Sequence, residues 1–178
     1  MRSLLEQFQH YGRQWPQEDG TPHFIELLAS GEHSFRREAR EAHFTGSAWL
    51  VSADGERVLL THHRKLARWL QLGGHADGDI DLARVALREA EEESGLDGLD
   101  VLPELFDLDR HRIPARGDEP EHWHYDVRYV VRAGANEAFV VSEESHALAW
   151  RNIREIADDG SSDASLRRMA QKWLRSGG

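Results

Sequence analysis

The sequence predicts a mixed α/β domain with a helical extension at its N-terminus, and three features carry that expectation. From His122 to Tyr129 polar and aromatic residues alternate, as on a strand. Leu82, Val85, Ala86 and Ala90 recur at helical spacing, as do Leu166, Met169, Ala170 and Trp173 near the end. The apolar runs Ala48–Val51 and Val58–Leu60 flank Asp54-Gly55, a hairpin signal. A chain of 178 residues suits one domain and is ample for a packed core.

Residues 1–43 read as the helical extension. Ser3-Leu4-Leu5-Glu6 is a capping box, with Leu4, Leu5, Phe8 and Tyr11 as a stripe and Gly12 as the stop. Thr21-Pro22 reads as N-cap and first helical residue of a second helix, with Phe24, Leu27 and Leu28 on its inner side and Gly31 as its end. Its expected role is packing, a homodimer contact, or a lid on a substrate site.

The remaining domain is expected over residues 44–178. The hairpin leads into a basic loop, Thr61 to Arg68, where Arg64 or Arg68 could meet phosphate oxygens. Trp69–Leu72 is a short strand feeding Gly73-Gly74. Leu99–Asp109 reads as a strand at which Pro103 suggests an edge or a bulge. After a breaker-rich loop, alternation from His122 turns His122, His124 and Asp126 the same way. Two histidines and a carboxylate could bind a transition metal, but one flat strand offers no fourth ligand. A polar face lining a substrate cleft, with His124 on substrate, is the preferred reading. Phe139–Val141 and Ala147–Trp150 read as short strands, and Asn152–Leu174 as a helical tail.

Composition narrows the partners. A net charge of −10 and the lack of a basic stripe argue against a nucleic-acid polymer. No apolar run approaches transmembrane length, so no membrane partner is expected. With no cysteine, neither disulfides nor thiolate chemistry is available, which suits a cytoplasmic setting.

The stretch Gly73–Leu96 carries the chemistry. Asp81 is the expected N-cap of its helix and Gly95 the left-handed residue after it. The last turns place Glu89, Glu91, Glu92 and Glu93 at the negative end of the helix dipole, where each acid costs about 0.3–1 kcal/mol. Glu89, Glu92 and Glu93, at i, i+3 and i+4, share one face and make a hard oxygen site for Mg²⁺ or Mn²⁺.

Gly74 followed by Arg88-Glu89-Ala90-Glu91-Glu92-Glu93-Ser94-Gly95-Leu96 resembles the signature box of the Nudix hydrolases, with no insertion between Gly74 and Arg88. Two positions depart from that pattern: Ala90 is small for a bulky apolar position, and Ile80 stands where the box has its first Glu. Asp79 and Asp81 flank Ile80, and a small adjustment of the loop at Gly78 would let Asp79 hold Arg88 while Ile80 turns inward.

The resemblance implies an α/β/α sandwich with a mixed β-sheet, and Mg²⁺-dependent hydrolysis of a diphosphate linkage in a nucleoside diphosphate derivative. By the same resemblance Glu89, Glu92 and Glu93 hold the metal, with Mn²⁺ able to substitute, and Glu92 and Glu93 count as catalytic. Arg88 orients the acids, and Gly73 and Gly74 let the backbone approach phosphate. Glu143 or Glu144, in a loop where such proteins often carry an acid, is a further ligand or the general base. A nucleoside diphosphate sugar is the first expectation for the substrate. The alternatives are a house-cleaning triphosphate pyrophosphohydrolase and a non-catalytic nucleotide-binding module.

Overall fold

The computed structural model describes residues 3–63, 68–141 and 145–177. Helix α1 (Leu4–Gln14) starts at the expected capping box: the Ser3 hydroxyl accepts from the Glu6 amide at 3.3 Å and Glu6 accepts from the Ser3 amide at 2.7 Å. Gly12 does not stop it. A Cβ there would lie 3.2 Å from Thr21 Cγ2, so the glycine makes room for α2 (Thr21–Ala29). Thr21 is accordingly buried inside the first turn, and Gly20 takes the N-cap position assigned to Thr21. A 3₁₀ turn, Glu32–Phe35, leads into the sheet.

The sheet comprises β1 (Ala42–Val51), β2 (Arg57–His63), β3 (Arg68–Leu70), β4 (Leu72–His75), β5 (Asp100–Ile113), β6 (His122–Arg132) and β7 (Ser145–Asn152). Its order is β3-β2-β1-β6-β5, with β4 beside β1 and β7 beside β2. β1 and β6 run parallel and the other pairs antiparallel, so the sheet is mixed. The expected hairpin forms only at its tip, Val51 opposite Val58. Below that β2 diverges, and β4 pairs with β1 from Thr45 opposite His75 to Ala48 opposite Leu72. β5 lies at the edge, and its register shifts between Val101 and Leu105 bracket Pro103, which has no amide hydrogen for the ladder. No strand forms at Phe139–Val141. The Val140 amide instead donates to the Ser94 carbonyl at 2.7 Å, docking the segment on the end of α3 (Leu82–Ser94).

β1 is buried from His43 to Val51, and its alternation divides the core. Phe44, Ala48 and Leu50 face a cluster with Phe8, Phe24, Leu82, Val85 and Ala86 from α1, α2 and α3. Trp49 and Val51 face one with Ile153, Leu166, Met169 and Trp173 from α4 (Ile153–Asp158) and α5 (Ala164–Arg175). Helices thus cover both faces, in an α/β/α arrangement. The fully buried Arg128 of β6 donates to Asp126 at 2.7 Å and to Asp107 at 3.1 Å. Arg168 and Lys172 of α5 also reach Asp107, at 2.7 and 2.6 Å.

Two predictions follow from the packing and from these charges. An ideal Cβ on Gly46 would lie 2.8 Å from Val85 Cγ1 and 3.0 Å from the Leu82 carbonyl oxygen. Gly46→Ala should therefore destabilise the fold by about 1–3 kcal/mol, read from denaturant melts. Burial pushes the Asp107 and Asp109 carboxyls up, but Arg128, Arg168 and, for Asp109, His111 outweigh it and hold both below the usual carboxylate range. Their folded pKa values are depressed, so their stabilisation is present above about pH 4 and lost as pH falls below it. Acid titration of the melting temperature should show this loss, with a shallower slope in Asp109→Asn.

Candidate active site

The expected metal-binding face lies where the end of α3 meets β4. Asp81 caps the helix, accepting from the Arg84 amide at 3.2 Å, and Gly95 closes it at φ 66°. Between these ends Arg88 spans two partners. Its Nη2 donates to the His75 carbonyl at 3.0 Å and to Glu89 Oε1 at 2.9 Å, and that carboxylate holds the guanidinium further above its ordinary range. Glu93 Oε1 accepts from the Gly73 amide at 2.7 Å. An ideal Cβ on Gly74 would fall 2.6 Å from Glu89 Cδ, so only glycine leaves that carboxylate its position. Glu92, one residue before Glu93, is exposed. Each carboxylate has two oxygens and about four lone-pair sites, so a hydrogen bond at one of them does not by itself exclude a cation. The donor set, all carboxylate oxygen, fits Mg²⁺ or Mn²⁺.

The loop before α3 differs from expectation. Asp79 does not hold Arg88. It forms a two-pronged pair with Arg84 at 2.8 and 2.6 Å and accepts from the Asp81 amide at 2.9 Å. Ile80 points outward with 58 % of its surface exposed instead of anchoring the loop. Arg84 outcompetes Arg88 because it sits one helical turn closer to the loop, whereas Arg88 is drawn to β4. Arg64, Glu143 and Glu144 lie outside the described residues. Arg68 forms an ion pair with Asp163 at 3.5 Å, beside the start of α5.

The other face of β4 and β1 is polar. Asp126, expected alongside His122 and His124, is consumed locally: it accepts from Thr45 at 2.9 Å, Ser47 at 2.7 Å, Gln71 at 3.1 Å and Arg128 at 2.7 Å. His124 instead gathers other histidines. His43 is its direct partner across β1 and β6, and His111 its partner across β5. Ring centroids lie 4.8 Å apart for His43–His124, 5.1 Å for His75–His124 and 5.0 Å for His122–His124. Burial, reinforced by the neighbouring histidines, lowers the His124 imidazole to about 2, while burial and then Arg37 lower His75 to about 4. Sequence reasoning missed His43 and His75. The position of His75 directly after Gly73-Gly74 was a visible signal, but the pairing that brings it to His124 was not.

The family model described as NUDIX domain matches residues 42–172. No curated protein matches the chain. Among solved structures, a NUDIX-family hydrolase from Clostridium perfringens is similar at 22% identity and TM-score 0.54, over 76% of this chain and 98% of that one. A C. elegans Ap4A hydrolase in a binary complex is similar at 15% identity and TM-score 0.59, again over 76% and 98%. The E. coli dihydroneopterin triphosphate pyrophosphohydrolase is similar at 15% identity and TM-score 0.53, over 75% and 95%. With a domain match over most of its length, and the signature helix seated against its glycine strand, this chain belongs to the NUDIX family.

Proposed function

We propose that the chain hydrolyses a diphosphate linkage in a small nucleoside diphosphate derivative, a nucleoside diphosphate sugar first, with Mg²⁺ as cofactor and Mn²⁺ able to substitute. The observation that carries the reading is the fixed relation of the acids to the glycine strand. Glu93 is tied to the Gly73 amide, and Arg88 ties Glu89 to the His75 carbonyl. Glu89, Glu92 and Glu93 would hold the cation. When bound, it supplies charge neutralisation on the phosphate oxygens and lowers the pKa of water. Arg88 is a positioning residue: its Nη2, shared between the His75 carbonyl and Glu89, fixes the Glu89 rotamer before substrate arrives. Gly73 and Gly74 are assigned to phosphate and Arg64 to substrate; His124, whose ring lies on the face of the sheet opposite Glu89, is left out of that assignment. Glu144 is the assigned general base. A triphosphate substrate is the second reading, and the name of the E. coli neighbour favours it.

The test is a panel of nucleotide sugars, dinucleoside polyphosphates and nucleoside triphosphates with Mg²⁺, in oxygen-labelled water that marks the attacked phosphorus. Chelation should abolish turnover and lower the melting temperature. Glu93→Gln should lower kcat about 100- to 10,000-fold. Its melting temperature should hold, because the amide oxygen can still accept from Gly73 and a like-charge pair with Glu89 is relieved. Turnover that survives both chelation and Glu93→Gln would sink the reading.

The ion pairs separate two variants. Arg88→Ala should cut kcat steeply, because Glu89 loses its anchor, whereas Asp79→Ala should leave kcat within a few-fold and loosen only the loop held through Arg84. Steady-state kinetics of the two variants and of the double variant check this. Equal losses in both single variants would restore a direct Asp79–Arg88 coupling.

A further inference from the structure

We propose that His43, His75 and His124 form a binding site for a first-row transition cation of the Zn²⁺ class, separate from the glutamates of α3. Each residue offers one ring nitrogen, and these atoms all lie within 4.8 Å of one another. In a tetrahedral zinc site with bonds of 2.0–2.1 Å the ligand atoms are about 3.4 Å apart, so ring rotations shifting the nitrogens by about an ångström close the set. Imidazole nitrogen suits Zn²⁺ and its neighbours in the series, and poorly suits Mg²⁺.

The hydrogen bonding around the rings supplies an independent observation. His43 is only 2 % exposed, and its Nδ1 lies 3.2 Å from the Ala39 carbonyl. A carbonyl can only accept, so Nδ1 carries the hydrogen and Nε2 a free lone pair. That Nε2 is buried, with no hydrogen-bond partner among the described residues. A main-chain carbonyl fixing one ring nitrogen while the other is left bare is how proteins orient a metal-binding histidine. His122 shares the carbonyl-fixed Nδ1, but its Nε2 is engaged. Its Nδ1 lies 2.9 Å from the Pro120 carbonyl, and its Nε2 lies 3.2 Å from His124 Nε2, close to the edge length of such a tetrahedron.

Strand geometry brings these residues together. His43 and His124 are Cα partners on β1 and β6, and His75 sits opposite Thr45 on β4, on the same side. His75 follows Gly74, whose own open side faces Glu89, so the two sites lie on opposite faces of one short strand. Of the charges that act on His75, Arg37 and Asp77 are engaged with each other at 2.6 Å, and Glu119 adds a further carboxylate.

The full-length protein, stripped with a chelator and reloaded, tests the proposal by metal content, competition against a chromophoric chelator, and the visible spectrum of the Co²⁺ form. Wild type should take up one equivalent of Zn²⁺, gain in melting temperature, and give a tetrahedral Co²⁺ spectrum with nitrogen ligands. His75→Ala and His124→Ala, at half-buried positions, should each weaken Zn²⁺ binding by about 100-fold or more, exceeding the usual loss for an orienting residue. Glu92→Gln and Glu93→Gln should leave Zn²⁺ affinity unchanged while lowering hydrolysis. Three results would overturn the site: no stoichiometric uptake, unchanged affinity in either histidine variant, or a loss of Zn²⁺ in the glutamate variants. The last would place the cation on α3. Histidine variants that bind no Zn²⁺ yet keep their fold, judged by near-ultraviolet circular dichroism, support it.

Discussion

The approach of α3 to the sheet is closer than a side chain on the facing strand positions would allow. Gly46 of β1 lies under Val85 and the Leu82 carbonyl, and Gly74 of β4 lies under the Glu89 carboxylate. Both contacts face the same side of the sheet, so the helix can neither lift nor slide without losing buried apolar area at Leu82, Val85, Ala86 and Ala90. That seating sets the acids against the strand. Gly73 and the His75 carbonyl then fix two of them through ordinary hydrogen bonds, one direct and one through Arg88. A helix end crowded with carboxylates is unfavourable by itself, and the packing at its first turns is what holds it there.

The opposite face solves a different problem. Its upper half is apolar and covered by α4 and α5, while its lower half carries Thr45, Ser47, Asp126, Arg128 and the histidines. Arg128 lies at the boundary, fully buried, and a guanidinium there is tolerable only with carboxylates around it. Asp126, Asp107 and Asp109 supply them, at 2.7, 3.1 and 3.4 Å. Asp107 in turn draws in Arg168, Lys172 and, through Lys172, Tyr11 and Glu18. The buried Asp107 carboxylate thus ties α1 and α5 to β5 and β6, linking the N-terminal helix to the last one.

Local features of the chain were legible where the signal was local. The capping box at Ser3, the cap at Asp81, the left-handed Gly95 and the irregularity at Pro103 all appear where the residues implied them. Features that depend on a distant neighbour were not. Gly12 resembled a helix stop, yet it is a contact for Thr21, and Thr21 is buried by that contact instead of capping. Phe139–Val141 had strand-like residues but found an unsatisfied carbonyl at Ser94 before any sheet edge. Asp79 faced two arginines one turn apart, and sequence could not decide between them because the β4 carbonyl that claims Arg88 is a main-chain group. At the candidate site, the nearness of the glutamates to the glycines was readable because one helix and one turn carry them. His43 and His75 were not, since their meeting with His124 requires knowing that β4 and β6 both flank β1.

That same three-strand arrangement places the two proposed cation sites on opposite faces of one short strand. Alternation along β4 turns Gly74 toward α3 and sends His75 the other way. On one side the donors are anionic oxygens in a partly exposed setting, which attract small, strongly hydrated cations and tolerate their retained waters. On the other they are imidazoles, buried at His43 and half-buried at His75 and His124, where a hydrated Mg²⁺ would lose water without gaining oxygen ligands in return. Each face therefore discriminates by ligand type as well as by affinity. The His75 carbonyl, which holds Arg88, belongs to the same peptide segment as the ring that faces His43 and His124. Fixing that ring would restrict the rotation of the strand that presents the Arg88 anchor.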